Sequence, residues 1–416
     1  MNYFYKIILY KNQKNMKFHF ALLLFLIISI EAKKISFLAE DDEKPKKGKV
    51  LGTIHFINCG RADSIVIEQN GRFGLIDASN PYAGAEDVVE TAGKRAEKSP
   101  DRSAQAVVNY LKFLEVEKLD FILSTHAHSD HIGGMPQIAY HFVDETTKFL
   151  YKEYRKNRED NTDLFKAAYN SMEKKGAKLI DLTDKKYEFD FGEMHFELIN
   201  TNIHKKEEKS GENMNSIASI VTFGNKKIFL AADLEIADDL IYKDQIGKVD
   251  VLKMSHHGFG DNSWEFLSTV RPKYSIIMNF QFPDYILVPA AFIQQVLKGE
   301  IYYTGGVATT SEDVENSAIR LYLTEDTSDD DEDTKYHLYF ENTGGNHDIG
   351  KDLNGLKTYQ GYTFYFEKGK LVTGLQTIEG ESCEHYFAKD GYMVKDACVT
   401  VDEDELCFDE DGCLTK

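Results

Sequence analysis

The stretch Leu119–Gly134, L-D-F-I-L-S-T-H-A-H-S-D-H-I-G-G, constrains this chain more than any other. Phe121, Ile122 and Leu123 form a short apolar run of the kind a buried strand makes. The run opens directly into a polar loop carrying His126, His128, Asp130 and His131. Imidazole nitrogens and carboxylates are the usual ligands of zinc, and a catalytic ion needs a few of them plus an open position for water. His126 and His128, two apart in an extended segment, can converge on one ion. Asp130 and His131 turn the other way and can hold a second. Gly133 and Gly134 let the backbone pass close beneath such a site. A solvated histidine-rich loop is the alternative, and a buried strand ending at the loop argues against it.

Two later stretches repeat this logic. K-I-F-L-A-A-D places Asp233 at the end of a predicted buried strand that follows a Gly224-Asn225 turn. A carboxylate in that place can bridge two ions. V-D-V-L-K-M-S-H-H-G (Val249–Gly258) delivers His256 and His257 into a glycine-containing turn. One of the pair completes the second metal site and the other can donate a proton to a leaving oxygen. We favour His257 as the ligand, with the reverse assignment open. Asp77 ends the strand-like segment Ser64–Asp77 and suits a carboxylate supporting a ligating histidine from behind. A strand-ending turn residue is its plain alternative. Between these points the spacing predicts a meander with an Asn70-Gly71 turn, helices over Ser103–Leu114 and Thr162–Lys175, and strands over Asp190–Asn200 and Ser216–Phe223. Trp264, the single tryptophan, either packs the core or lines a pocket.

These motifs resemble the metallo-β-lactamase fold. I-H-F-I-N, N-M-N-S-I and I-G-K-V-D-V-L-K-M-S-H-H, together with the histidine loop, look most like the teichoic-acid phosphorylcholine esterases, over about Val50–Leu323 and more weakly in the tail. The nuclease domain of DNA-uptake competence proteins shares the motifs. The resemblance implies an αββα sandwich, two Zn2+ at one sheet edge, and a metal-bound hydroxide that attacks a phosphodiester while His256 assists the leaving group. It implies His126, His128, Asp130, His131, Asp233 and His257 as metal ligands and makes Asp130 catalytic as well. Where many such hydrolases carry another metal histidine, this chain has Asn213 and Asn215, whose amides could orient a phosphate oxygen or the attacking water. His204 is a substitute ligand candidate, and the first zinc site is expected to be poor in ligands. A nuclease, a lactone or lactam hydrolase and a non-catalytic adhesin are the rival readings.

The 416 residues carry 69 acidic and 49 basic side chains, a formal charge of −20, so non-specific nucleic-acid binding gets no electrostatic help. Met16–Ala32 has the lysine, apolar run and small final residue of a secretory signal, with a signal anchor as the alternative. Lys33–Lys49 reads as a linker, the catalytic domain as residues 50–343, and residues 344–358 as a second linker. The acidic run Asp326–Asp333 reads as a solvated hairpin loop. From residue 359 a unit recurs in which Gly369, Gly391 and Gly412 follow aromatic runs, each unit an expected β-hairpin stacked on the next. These units resemble cell-wall-binding repeats that take choline or glucan. The tryptophan expected after Thr373-Gly374 is replaced by Leu375, which leaves a choline cage without its wall. Cys383, Cys398, Cys407 and Cys413 suit two disulfides in an oxidising compartment, and Cys59 a buried thiol. The expected place of the protein is secreted or at the cell surface, with no transmembrane segment once the signal is removed.

Overall fold

Alternating apolar residues after Lys49 build an antiparallel meander of β1 (Lys49–Ile57), β2 (Ile65–Gln69) and β3 (Arg72–Ile76). Asn70 and Gly71 both take positive φ in its tight turn, as a two-residue hairpin of matching twist requires. The computed structural model describes residues 48–81, 103–153, 162–202, 211–279, 284–305, 314–326, 335–344 and 350–415. The expected signal, most of the linker before Lys49, His204 and most of the acidic run lie outside these residues.

After β3 the sheet changes from antiparallel to parallel. β4 (Phe121–Leu123), β5 (Lys148–Tyr151) and β6 (Lys178–Asp181) add in parallel. Parallel neighbours need long crossovers. The helices α1 (Ser103–Phe113), α2 (Ser129–Ile132), α3 (Met135–Phe142) and α4 (Thr162–Lys174) lie in these connections. The next segment follows the same plan. β7 (Tyr187–Phe191), β8 (Met194–Ile199), β9 (Ala218–Phe223) and β10 (Lys226–Leu230) pair antiparallel. β11 (Val251–Lys253), β12 (Tyr274–Ile277) and β13 (Glu300–Tyr303) then add in parallel through α5 (Ile236–Ile246), α6 (Trp264–Val270) and α7 (Asp284–Phe292). β14 (Ala318–Glu325) and β15 (Tyr336–Glu341) return to the first sheet beside β1. The strand expected over Asp190–Asn200 is two strands, because Gly192 turns the chain at positive φ.

The two sheets face each other across one core. Side chains of β10 alternate between layers: Ile228 and Leu230 join the core between the sheets, and Phe229 joins the layer under α5, α6 and α7. This is the αββα sandwich the resemblance implied. Phe121 of β4 spans the gap, its ring 5.2 Å from that of Phe189 and 5.1 Å from that of Phe191. Gly74 opposite leaves the space, since a Cβ there would lie 2.1 Å from the Phe121 ring.

The tail packs on this sandwich. β16 (Gly355–Tyr359) and β17 (Tyr362–Glu367) form a hairpin whose Tyr359, Phe364 and Phe366 bury against Val288 and Ala291 of α7. Trp264 lies at this contact, with ring centroids 5.5 Å from Tyr362 and 5.3 Å from Tyr392. Each repeat pairs a phenylalanine with an apolar return residue across its glycine turn: Phe366 with Leu371, Phe387 with Met393, Phe408 with Leu414. In the second and third repeats that return is a single bridge. The longer pairings run to the preceding strand, β18 (Gly374–Thr377) with β19 (Glu384–Phe387) and β20 (Ala397–Val401) with β21 (Asp404–Phe408). Met393 N donates to Thr363 O and Leu414 N to Glu384 O, so each return stitches onto the repeat before it. Disulfides Cys383–Cys413 and Cys398–Cys407 staple the last two units, and Cys59 is a buried free thiol. Among the described residues no helix is long and apolar enough to cross a membrane. Truncating Phe121 to Ala opens a cavity where the two sheets meet and should cost about 3–5 kcal/mol, read as a lower denaturant midpoint in an equilibrium unfolding curve.

Candidate metal centre

The site forms where each sheet changes from antiparallel to parallel, past the carboxyl ends of β3, β4, β10 and β11. Backbone strain marks the ends of β3, β10 and β11: Asp77, Ala232, His256 and His257 all have positive φ, from 48° to 58°. Such conformations are uncommon away from glycine and persist only where surrounding bonds enforce them. Here those bonds are Asp77 N to Leu123 O, Ala78 N to His131 O and His256 N to Ala232 O. Gly134 lies flat on the neighbouring segment, where a Cβ would come 2.1 Å from Ala78 O.

The sequence-predicted donors fall into two groups that share a carboxylate. His126, His128 and Asp233 form one, and Asp130, His131 and His257 the other. Asp233 Oδ2 lies 3.9 Å from His126 Nε2, 3.1 Å from His131 Nε2 and 3.6 Å from His257 Nε2. It is fully buried. His126 Nε2 and His128 Nδ1 are 3.0 Å apart, and His257 Nε2 is 3.2 Å from Asp130 Oδ2.

Supporting groups decide which nitrogens face inward. Asp77 accepts from Thr125 N and Oγ1 and lies 2.7 Å from His131 Nδ1, so a proton on Nδ1 leaves the Nε2 lone pair facing Asp233. His131 Nε2 has no aligned hydrogen-bond partner of its own despite its 3.1 Å approach. Two lone pairs that close repel unless a cation or proton lies between them.

Asp63, which the sequence reading missed, lies 3.2 Å from His257 Nδ1 and pairs with the buried Lys253 ammonium. Lys253 also donates to Ala232 O at 2.8 Å. A lysine inside the apolar strand V-L-K was the available signal for this network, whereas nothing in R-A-D-S marked Asp63. Glu212 was missed too. It accepts from Ala127 N at 3.0 Å and from Asn215 Nδ2 at 3.0 Å, so the Asn215 amide braces the histidine loop. Asn213 Nδ2 lies 3.4 Å from His256 Nδ1, and that nitrogen is also held by Asp261. His256 belongs to neither donor group, although its Nε2 lies 3.8 Å from Asp233 Oδ2; its side chain is a third exposed. In the tail, Cys383 and Cys413 also lie with His385, but their sulfurs are joined to each other and are not free to ligate.

The electrostatics suit cations. Burial, with His131 and His128 alongside, holds His126 well below the ordinary imidazole value. Burial pushes His131 down as well, but Asp233 and Asp77 overrule it and hold it well above that value. His257 is likewise lifted against burial, by Asp233 and Asp63, to about 9. Burial raises the Asp233 carboxyl, yet His131 and His257 keep it well below the usual carboxylate range. The carboxylates that lift His131 and His257 against burial would attract a cation at the same point.

In architecture the chain is similar to solved proteins of the metallo-β-lactamase fold. A solved protein of that fold, YhfI from Bacillus subtilis, aligns at 12% identity and TM-score 0.35 over 61% of this chain and 86% of that one. Residues 104–254 match the family described as anti-Pycsar protein Apyc1, and residues 372–412 match the choline-binding repeat. Recombination protein 2 of Haemophilus influenzae is 26% identical over 239 residues, 55% of this chain and 25% of that protein, so the chain spans about a quarter of this relative's length. The choline-binding domain of Spr1274 in Streptococcus pneumoniae aligns with 15% of this chain and 96% of its own, at 20% identity and TM-score 0.14.

Ligation needs neutral imidazoles, so a metal held by His131 and His257 would have to displace their protons. Below about 9, where His257 loses its proton, apparent affinity should fall about tenfold per pH unit for each proton released. Zinc titration calorimetry in buffers of different ionisation enthalpy reads that release; a proton count of zero would exclude these imidazoles as ligands. Asp63→Asn should weaken zinc binding by about 10–100-fold through loss of His257 orientation, measured by competition with a chelator.

Proposed function

We propose that the chain is a secreted or surface-held hydrolase working with two metal ions, zinc first among them, and that it cleaves phosphodiesters in the manner of the phosphorylcholine esterases. The observation that carries this reading is the buried Asp233 carboxylate, approached by nitrogens of both donor groups. The fit of the residues to two ions rests on the same atoms: His126, held low by burial, beside His128, and His131 Nε2 turned toward the Asp233 carboxylate. His126, His128 and Asp233 would hold one ion, and Asp130, His131 and His257 the other, with Asp233 common to both. Ions bound there would supply positive charge to a phosphoryl oxygen and bring the pKa of a water toward ~7.

The chain's own groups supply the rest. His256, oriented by Asp261, protonates the leaving oxygen as the bond from phosphorus to that oxygen breaks and the bond from phosphorus to water oxygen forms. The Asn213 amide beside His256 can donate to a phosphate oxygen. Arg61 lies over the Phe259 ring at 5.4 Å, and Phe259 packs at 5.4 Å on His256. An exposed guanidinium at that lip favours an anionic diester over a neutral lactone or lactam. The tail's match to choline-binding repeats supports association with a cell surface, while Leu375 in place of the cage tryptophan argues against choline capture there.

A nuclease is the second reading, favoured by the similarity to recombination protein 2 and opposed by the net charge of −20. Hydrolysis of p-nitrophenylphosphorylcholine, bis-p-nitrophenyl phosphate and DNA by the zinc-loaded protein separates the two. Preference for the choline ester is expected. Asp233→Ala should lower kcat/KM by about a thousandfold, since several kcal/mol of charge stabilisation leave with the shared ligand. Zinc-loaded protein inert on all three would end the phosphodiesterase reading.

A further inference from the structure

The loop after the second histidine pair leads from the metal centre to the tail. Asp261, which holds His256 Nδ1, lies between Gly260 and Asn262. Both of those backbone carbonyls are gripped from the first tail repeat. Tyr359 Oη, with one proton to share, lies 3.0 Å from Gly260 O and also reaches Asn262 O, and Gln360 Nε2 lies 3.1 Å from Asn262 O and also reaches Gly260 O. Gln360 Nε2 also lies 3.0 Å from Tyr359 Oη, so the two side chains act together on these carbonyls.

The sandwich fixes the far side of this loop. The Asp239 carboxylate of α5 accepts from Ser263 N at 2.7 Å and from Ser263 Oγ at 3.1 Å. The Asn262 side chain bonds Ser255 N at 3.0 Å and Ser255 Oγ at 2.9 Å. Between those anchors the chain carries Gly258 and Gly260, both at positive φ, which without outside contacts would leave the Asp261 backbone many conformations. Tyr359 is itself immobile: its ring is buried in the apolar cluster with Val288, Ala291, Leu353, Phe364 and Phe366. Gln295, just past α7, closes the contact further along, donating to Gly369 O and accepting from Leu371 N, both at 2.7 Å.

We propose that Tyr359 and Gln360 are positioning residues of the active site: by holding the carbonyls on either side of Asp261, they keep its carboxylate on His256 and His256 aimed at the leaving oxygen. The first repeat is thus part of the enzyme as well as the start of a surface-binding tail. This rests on the role given above to His256, and one arm of its test does not depend on activity.

The full-length protein is compared with Tyr359→Phe/Gln360→Asn. That pair removes the hydroxyl and shortens the amide while leaving the ring and a residue tolerant of the left-handed turn. Tyr362→Phe is the control; it loses the bond from Tyr362 Oη to Glu265 in the same interface without touching Gly260 or Asn262. In hydrogen-exchange mass spectrometry the peptide over residues 255–263 should exchange about tenfold faster in the double variant and at the native rate in the control. In kinetics the double variant should lose about tenfold in kcat on glycerophosphocholine, whose alkoxide needs a proton. It should keep its KM there and its kcat on bis-p-nitrophenyl phosphate, whose leaving group needs none.

Native exchange in the double variant, or equal acceleration in the control, overturns the inference. A loss of kcat equal on both substrates also overturns it, reducing the contact to support of the fold. If the native protein cleaves neither diester, the proposed function fails and the exchange result alone decides whether the tail holds the loop.

Discussion

The arrangement of this protein turns on a buried carboxylate surrounded by imidazoles from both sheets. Asp233 reaches the junction on the end of β10, His126 and His131 follow β4, and His257 follows β11. Taking that many polar groups out of water is costly unless each is matched. The structure matches them in rings. Asp77 orients His131, Asp63 lies beside His257 Nδ1, Lys253 neutralises Asp63, and Glu212 ties down the backbone between His126 and His128. The bond from Asp77 holds His131 so that its Nε2 points inward. What remains in the middle is a concentration of lone pairs that only cations or protons can relieve.

The fold supplies the junction by changing strand direction at corresponding places in both sheets. A meander brings the chain to the middle of a sheet, and the next strand must then enter in parallel through a helix. Each such entry ends at the same edge, so four strand ends meet there. The left-handed residues at those ends store strain that regular strands avoid, and the sandwich core beneath them makes the strain tolerable.

The tail shows how a short repeat that cannot bury its own apolar face becomes stable. Each return residue stitches to the previous unit, two disulfides close the last units, and the first hairpin buries its aromatics on α7. Because that hairpin also bonds the loop carrying Asp261, the surface it covers is continuous with the site. Missing choline-cage aromatics matter less to a repeat whose rings already have partners in Trp264, Tyr362 and Tyr392.

Much of this was legible in the chain itself. Strand ends followed at once by histidines or aspartate are local patterns, and their ligand chemistry does not depend on what lies elsewhere; the meander, the parallel strands and the periodic glycines are local in the same way. The single strand expected over Asp190–Asn200 failed for a local reason as well, because Gly192 could sit in a strand or turn it and only pairing decides. Asp77 was legible as a support for one of the candidate donors, because it ends a strand; the other supporting partners were not. Asp63 lies in a loop with no periodicity, Glu212 meets Ala127 from 85 residues away, and Tyr359 meets Asn262 from 97. Residue type and spacing determine which side chains can bind a metal, whereas burial and long-range packing determine which nitrogen each one presents and what holds it there.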